Sequence, residues 1–125
     1  MTTTALAVSI VTYAPDLAVL TAVVERLDQA LRHARQGGLL EQARVIVVDN
    51  GPGSGWREPL QAALAAVQPS ATVEVLSGHG NVGYGAGHDL AFQACREPIH
   101  LILNPDVLLE PDALSAGLVF LAAHP

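Results

Sequence analysis

Four short apolar runs, each separated from the next by a stretch with helical spacing, leave this chain few folds to adopt. The runs are Ala5–Thr12 (ALAVSIVT), Arg44–Asp49, Thr72–Ser77 and His100–Asn104, all short and most of them rich in β-branched residues. Runs of that length and composition are buried strands, and Glu74 marks the third as less buried than the rest. Between them, Pro15 opens a helix with Leu17, Leu20, Val24, Leu27 and Leu31 on one face, stopped by Gly37-Gly38. A second helix carries Trp56, Leu60, Leu64 and Val67 and is closed by Pro69. A third starts near Gly85 or Ala86 and turns Leu90, Ala91 and Ala94 inward; a fourth follows Pro111 with Leu114, Leu118 and Leu121 on its apolar face. Strands alternating with helices require right-handed crossovers, so the expected class is α/β, an open, mostly parallel sheet with flanking helices. The 125 residues form one domain, 1–125, with no internal repeat or linker. The chain stops at His124-Pro125, directly after a helix, where a doubly wound fold would continue. The expectation is a domain truncated at its C-terminus.

Two of the strands run straight into carboxylates. The second ends in Asp49-Asn50-Gly51 and the fourth in Asn104-Pro105-Asp106-Val107. Open α/β sheets bind ligands at the carboxyl ends of their strands. Between them in sequence lies a glycine-rich turn, Gly78 to Gly87, with five glycines in ten residues. Two carboxylates and a glycine loop on one rim point to a site for a nucleotide and a divalent metal. Each residue also has a plainer reading. Asp49 is either a turn residue capping its own loop or a carboxylate that accepts hydrogen bonds from a base or ribose. Asp106 is either a turn former behind Pro105 or a ligand for a hard cation, which needs few protein oxygens when phosphates supply the rest. Glu110 and Asp112 suit the N-terminus of the last helix. Gly78-His79-Gly80-Asn81-Val82-Gly83 matches G-x-G-x-x-G after a strand, which keeps a dinucleotide-binding oxidoreductase among the alternatives. The pattern follows the third strand, though, and its helix begins after the last of these glycines.

Charge narrows the partners. The net charge is −6, with six Arg and no Lys, which argues against nucleic acid. An anionic ligand must therefore be held by backbone amides, a metal or a few arginines. The single Cys95 excludes an internal disulfide and reads as a small core residue in a reducing compartment. Met1–Thr4 lacks a basic region and Ala5–Thr12 is too short for a signal or membrane segment, so the chain reads as cytoplasmic, with action at the inner face of a membrane left open. The five histidines do not space as a metal set; His33 reads as solvated on a helix, and His79 and His88 flank the glycine loop. Tyr13, just past the first strand, sits where it can stack on or hydrogen-bond a nucleoside.

Taken together, Val11-Thr12-Tyr13, Val47-Val48-Asp49-Asn50-Gly51, Asn81-Val82-Gly83-Tyr84-Gly85-Ala86-Gly87 and Leu103-Asn104-Pro105-Asp106-Val107 resemble the family 2 glycosyltransferases, closest to a rhamnosyltransferase-like branch with Asn-Pro-Asp where relatives carry Asp-x-Asp. The resemblance covers essentially the whole chain. It implies the nucleotide-binding half of a GT-A type, Rossmann-like transferase fold. It also implies a nucleotide-diphospho-sugar donor, a saccharide or lipid-linked acceptor, and inversion at the sugar carbon. By position, Thr12 and Tyr13 border the nucleoside and Asp49 binds the base or ribose. Asn81, Gly83 and Gly87 lie along the nucleotide-sugar, and Asn104 supports Asp106, which binds Mg²⁺ or Mn²⁺. His88-Asp89 stands where relatives usually carry Asn residues, and the family's catalytic carboxylate lies beyond residue 125. The competing reading is a non-catalytic nucleotide-binding fragment. An unfinished sheet also leads one to expect self-association into a homo-oligomer, and the family reading leaves room for peripheral membrane association.

Overall fold

The computed structural model describes residues 4–124. Four strands, β1 (Ala5–Thr12), β2 (Gln42–Asp49), β3 (Thr72–Leu76) and β4 (Ile99–Leu103), alternate with four helices, α1 (Leu17–Gln36), α2 (Arg57–Val67), α3 (Tyr84–Gln93) and α4 (Ala113–Ala123). The sheet is parallel in the order β3-β2-β1-β4. The expected α/β class, with an all-parallel sheet, is what the chain forms.

The order follows from the crossovers. Moving from β1 to β2 to β3 carries the chain one way, and α1 and α2 cover the same face. The connection from β3 to β4 then jumps back across β1, and a right-handed crossover must put α3 on the opposite face. Packing agrees: α1 touches α2 and α4, whereas α3 lies on β1 and β2. The main core is therefore one-sided. Leu6, Val8 and Ile10 of β1 and Val45 and Val47 of β2 meet Leu20, Val24, Leu27 and Leu31 of α1, Leu60 and Leu64 of α2, and Leu114 and Leu118 of α4. The other face has only a small apolar cluster, with Val11, Ile46, Val48 and Ala91 at its centre and Leu76 and Cys95 beside it.

Local chemistry places the ends. Asp16, not Pro15, starts α1: its side chain accepts from the amides of Ala18 and Val19, which satisfies two donors the helix cannot pair internally. A buried carboxylate that periodicity gives no hint of, Asp28, ties α1 to the entry of β3. It accepts from the amide and hydroxyl of Ser70 and from Arg32.

Three details differ from the expectation. α3 begins at Tyr84, one residue ahead of Gly85, and it buries Gly87, His88 and Ala91 while Ala94 is exposed. Leu121 of α4 is exposed, since only Leu114 and Leu118 of that helix reach the core. A start near Gly85 or Ala86 would bring Asp89 close to the first turn of α3; with the start at Tyr84 it falls in the second, and there it accepts from Gln93.

Candidate functional site

Strand register gathers the rim. Thr12 pairs with Asp49 across β1 and β2, and Ile10 pairs with Leu103 across β1 and β4, so the tips carrying Thr12, Asp49 and Asn104 lie side by side. Between β1 and β4 the chain order reverses direction: α1 leaves β1 on one face, and α3 leads into β4 over the other. That crevice is the topological switch point where open sheets admit ligands.

The tips of β1 and β2 are tied together. The Thr12 hydroxyl donates to the Val48 carbonyl at 3.0 Å, and the Asn50 amide donates to the Thr12 carbonyl at 2.9 Å. Ala14, in the left-handed region at φ 44°, donates its amide to the Gly51 carbonyl. Thr12 is thus buried in the frame, while Tyr13 stands 57% exposed above it. Asp49 is 4% exposed, and its Oδ1 accepts from the Gly51 amide at 2.9 Å. The capping contact foreseen for a turn residue is present. It uses one oxygen, and Oδ2 has no protein partner among the described residues. Among the described residues the one fully enclosed polar side-chain atom without a partner is His88 Nε2, so Oδ2 reaches solvent.

The glycine loop spans β3 to α3. Gly78, Gly80 and Gly83 all have positive φ, at 89°, 72° and 90°, a conformation that side chains disfavour. Asn81 shapes the turn by accepting the Gly83 amide on its side chain at 3.0 Å, and its position is exposed. Gly83 precedes α3 without any side-chain cap, so the first amides of that helix are free to face an anion. Gly87 is buried: a Cβ there would meet Val11 at 3.0 and 3.1 Å and the Asn50 amide at 3.3 Å. The absence of a side chain is what lets α3 sit against β1.

The β4 tip closes the rim. Val107 donates its amide to the Asn104 carbonyl at 3.3 Å, forming a turn through Pro105 and Asp106. The Tyr84 hydroxyl donates to Asn104 Oδ1, joining α3 to β4. Asp106 is exposed and makes no hydrogen bond or ion pair among the described residues. No group of three or more His, Cys, Asp or Glu is placed to hold a metal among the described residues. The donor set therefore fits a hard cation only where a ligand supplies most of its oxygens, since Mg²⁺ is commonly held by one or two carboxylates plus phosphates and water.

Two features escaped the sequence. The first is Asn50, 3% exposed, which binds the glycine loop at both ends. Spacing offers no clue to that role, because Asn after Asp reads as an ordinary turn. The second is a polar seam under α3. Ser9 Oγ lies 2.6 Å from His88 Nδ1 and 2.9 Å from His100 Nε2, bridging α3, β1 and β4. A serine in the middle of ALAVSIVT was its one visible signal. Ser9 has a single proton and is fully buried, so pairing that proton makes it donate to one ring and accept from the other. Only His88 Nδ1–H donating to Ser9, with Ser9 donating to His100, leaves no buried N–H without an acceptor. His88 Nε2 then remains a bare acceptor, the cheaper kind of orphan.

Burial lowers the pKa of both rings. For His88 the facing His100 adds to it, and for His100 the carboxylate of Glu97 opposes it. The unfolded chain thus binds protons near pH 6.5 that the folded chain refuses. Stability should be level above about 6.5 and fall as the pH drops below it, by at most about 1.4 kcal/mol per pH unit for each ring. Asp28 acts in a lower window. Burial raises its carboxyl, but hydrogen bonds from Arg32 and Ser70 outweigh that and the net shift is down from 3.8. Urea titrations between pH 5 and 8 of the wild type and of His88→Gln measure the slope. An equal slope in both would remove His88 from the account.

An open α/β domain with a parallel sheet, a glycine loop and acidic strand tips at the switch point belongs to the GT-A, Rossmann-like class of fold. Residues 17–125 match the model of the family described as glycosyl transferase family 2, and the chain belongs to that family. The chain is also 29% identical over 107 residues to the mitochondrial thiamine pyrophosphate carrier of Bos taurus, over 82% of this chain and 29% of the carrier. The chain thus spans under a third of the length of that curated relative. Among the described residues no helix is long and apolar enough to cross a membrane.

Proposed function

We propose that this chain is the donor-binding part of an inverting glycosyltransferase, which moves a sugar from a nucleotide-diphospho-sugar to an acceptor hydroxyl. Membership of the glycosyl transferase family 2 carries the reading. The rim supports it, because each strand tip offers a different chemistry. Tyr13 has an open aromatic face for a base, and Asp49 has one free oxygen for a ribose or base donor. Thr12 shapes the floor between them. The glycine loop, with Asn81, Gly83 and Gly87, brings backbone close to the sugar side. Asp106, with Asn104 beside it, would hold Mg²⁺ or Mn²⁺ against the diphosphate, where such a cation neutralises the leaving group. Asn-Pro-Asp at this tip favours rhamnose as the sugar, and a saccharide or lipid-linked molecule as acceptor. Asp49 and Asp106 are committed to donor and cation, so deprotonation of the acceptor falls to a carboxylate outside this rim. Action would be cytoplasmic, with peripheral attachment at the membrane face and self-association through the open sheet edge as parts of the same proposal.

The test is a thermal-shift series with nucleoside diphosphates and Mn²⁺, against NAD. Ligand at a hundred times its dissociation constant stabilises by about 2.7 kcal/mol. A shift with a nucleoside diphosphate supports the transferase reading, a shift with NAD alone replaces it with a dinucleotide site, and no shift with any of them overturns it. Within this reading Asp49→Ala should weaken nucleotide binding equally with Mn²⁺ and with EDTA. The expected loss is about 1.5–3 kcal/mol, the worth of a hydrogen bond to a charged group. An unchanged dissociation constant would leave Asp49 only its bond to Gly51.

A further inference from the structure

Asn50 sits where four pieces of the fold converge. Its backbone amide is locked to Thr12 of β1 at 2.9 Å, and its side chain is 3% exposed. The side-chain Nδ2 donates to the Gly83 carbonyl at 3.0 Å. With the amide turned that way, Oδ1 faces His79 Nε2 at 3.0 Å and can only accept, so His79 must carry its proton on Nε2. The two bonds grip the glycine loop near its start and at the residue before α3. Gly87 walls the amide from behind, since a Cβ there would lie 3.3 Å from Nδ2. On the other side, Asp49 holds the Gly51 amide, and the Gly51 carbonyl is held by Ala14. Residues 49–51 therefore form one braced unit.

We propose that Asn50 is a positioning residue that couples the nucleoside edge at Asp49 to the glycine loop, so that a nucleoside settling on the β2 tip fixes the loop lining the sugar side. This rests on the nucleotide-sugar reading. The physical basis is contiguity through hydrogen bonds with two discrete states, loop gripped or loop released. A ligand that pulls on Asp49 moves the residue bonded to it, and among the described residues the stretch from Gly78 to Gly83 has no other side-chain tie to the rest of the fold: Asn81 braces it only from within, and the Tyr84 bond to Asn104 lies beyond it.

The experiment is ¹⁵N NMR of the chain, free and with each of the five common nucleosides at millimolar concentration, without phosphate or metal. In the wild type, His79 should show the Nε2–H tautomer, and a nucleoside that shifts the Gly51 amide should also shift Gly83 and Tyr84. In Asn50→Ala the Gly51 response should persist while the Gly83 and Tyr84 responses vanish. Nucleoside diphosphate affinity should fall about tenfold in that variant, the equivalent of one hydrogen bond. Asn50→Asp separates the two bonds without an empty space: a carboxylate still accepts from His79 but cannot donate to Gly83. It should keep the His79 signature and lose the Gly83 response, which a purely structural asparagine would not produce. His79 as the Nδ1–H tautomer in the wild type, or a Gly83 response intact in both variants, overturns the coupling. A wild type that binds no nucleoside and no nucleoside diphosphate overturns the donor reading and the coupling with it, and the His79 tautomer then tells whether the clamp itself was read correctly.

Discussion

Replacing Asp106 with alanine should erase the gain in nucleoside diphosphate affinity that Mn²⁺ brings, and should leave the metal-free affinity and the fold in place. Asp106 is exposed at the tip of β4, and among the described residues nothing leans on its carboxylate. Its removal therefore costs no packing and orphans no partner. Its turn is closed by backbone, Val107 to Asn104, which alanine preserves. In the proposed arrangement a cation that takes most of its oxygens from phosphate and water would have Asp106 as its one protein anchor, so losing that anchor would not be buffered by neighbours. Calorimetry with Mn²⁺ and with EDTA reads the effect, and a gain of tenfold corresponds to about 1.4 kcal/mol. A wild type with equal affinity under both conditions would remove the cation from the mechanism. A variant that keeps the gain would move the cation to other ligands.

The contrast between Asp106 and Asp49 also shows where sequence reading reaches its limit. Both follow apolar runs that form strands: β2 ends at Asp49 itself, and Asp106 lies in the turn just past the end of β4. What the sequence could not rank was their surroundings. Asp49 lies at the centre of the sheet, beside β1, and is almost sealed, whereas Asp106 stands on an edge strand in open solvent. The strand order comes from long-range pairing, which periodicity does not encode. Helix faces were legible where leucine and valine mark them, as on α1. They were misread on α3, whose apolar stripe is weak and whose inward contact is polar. Tertiary context there overrides side-chain type, because a short helix over a serine-bearing strand is held by a hydrogen bond instead of by leucines.

Glycine gives the second large effect, through a contrast in sign. Gly87 and Gly117 both lie inside helices, and helix propensity gives no reason to treat them differently. In the fold, a Cβ on Gly87 would meet Val11 at 3.0 and 3.1 Å, while one on Gly117 meets nothing within 4 Å. Val11 belongs to β1, a strand paired on both sides, so it cannot yield without moving the sheet. Gly87→Val must then lift α3 away from β1. Overpacking of this kind costs about 1–3 kcal/mol, and it also strains the Asn50 grip on Gly83 and the Ser9 bond to His88, which depend on the same seating. Gly117→Ala should instead stabilise by about 0.4–1 kcal/mol, because alanine loses less backbone entropy than glycine on entering a helix. Urea unfolding of the two variants measures both, and nucleotide affinity should fall only in Gly87→Val. Equal stability changes in the two would mean that α3 does not rest on β1 at Gly87, and the close approach that seats the glycine loop on the rim would have to be abandoned.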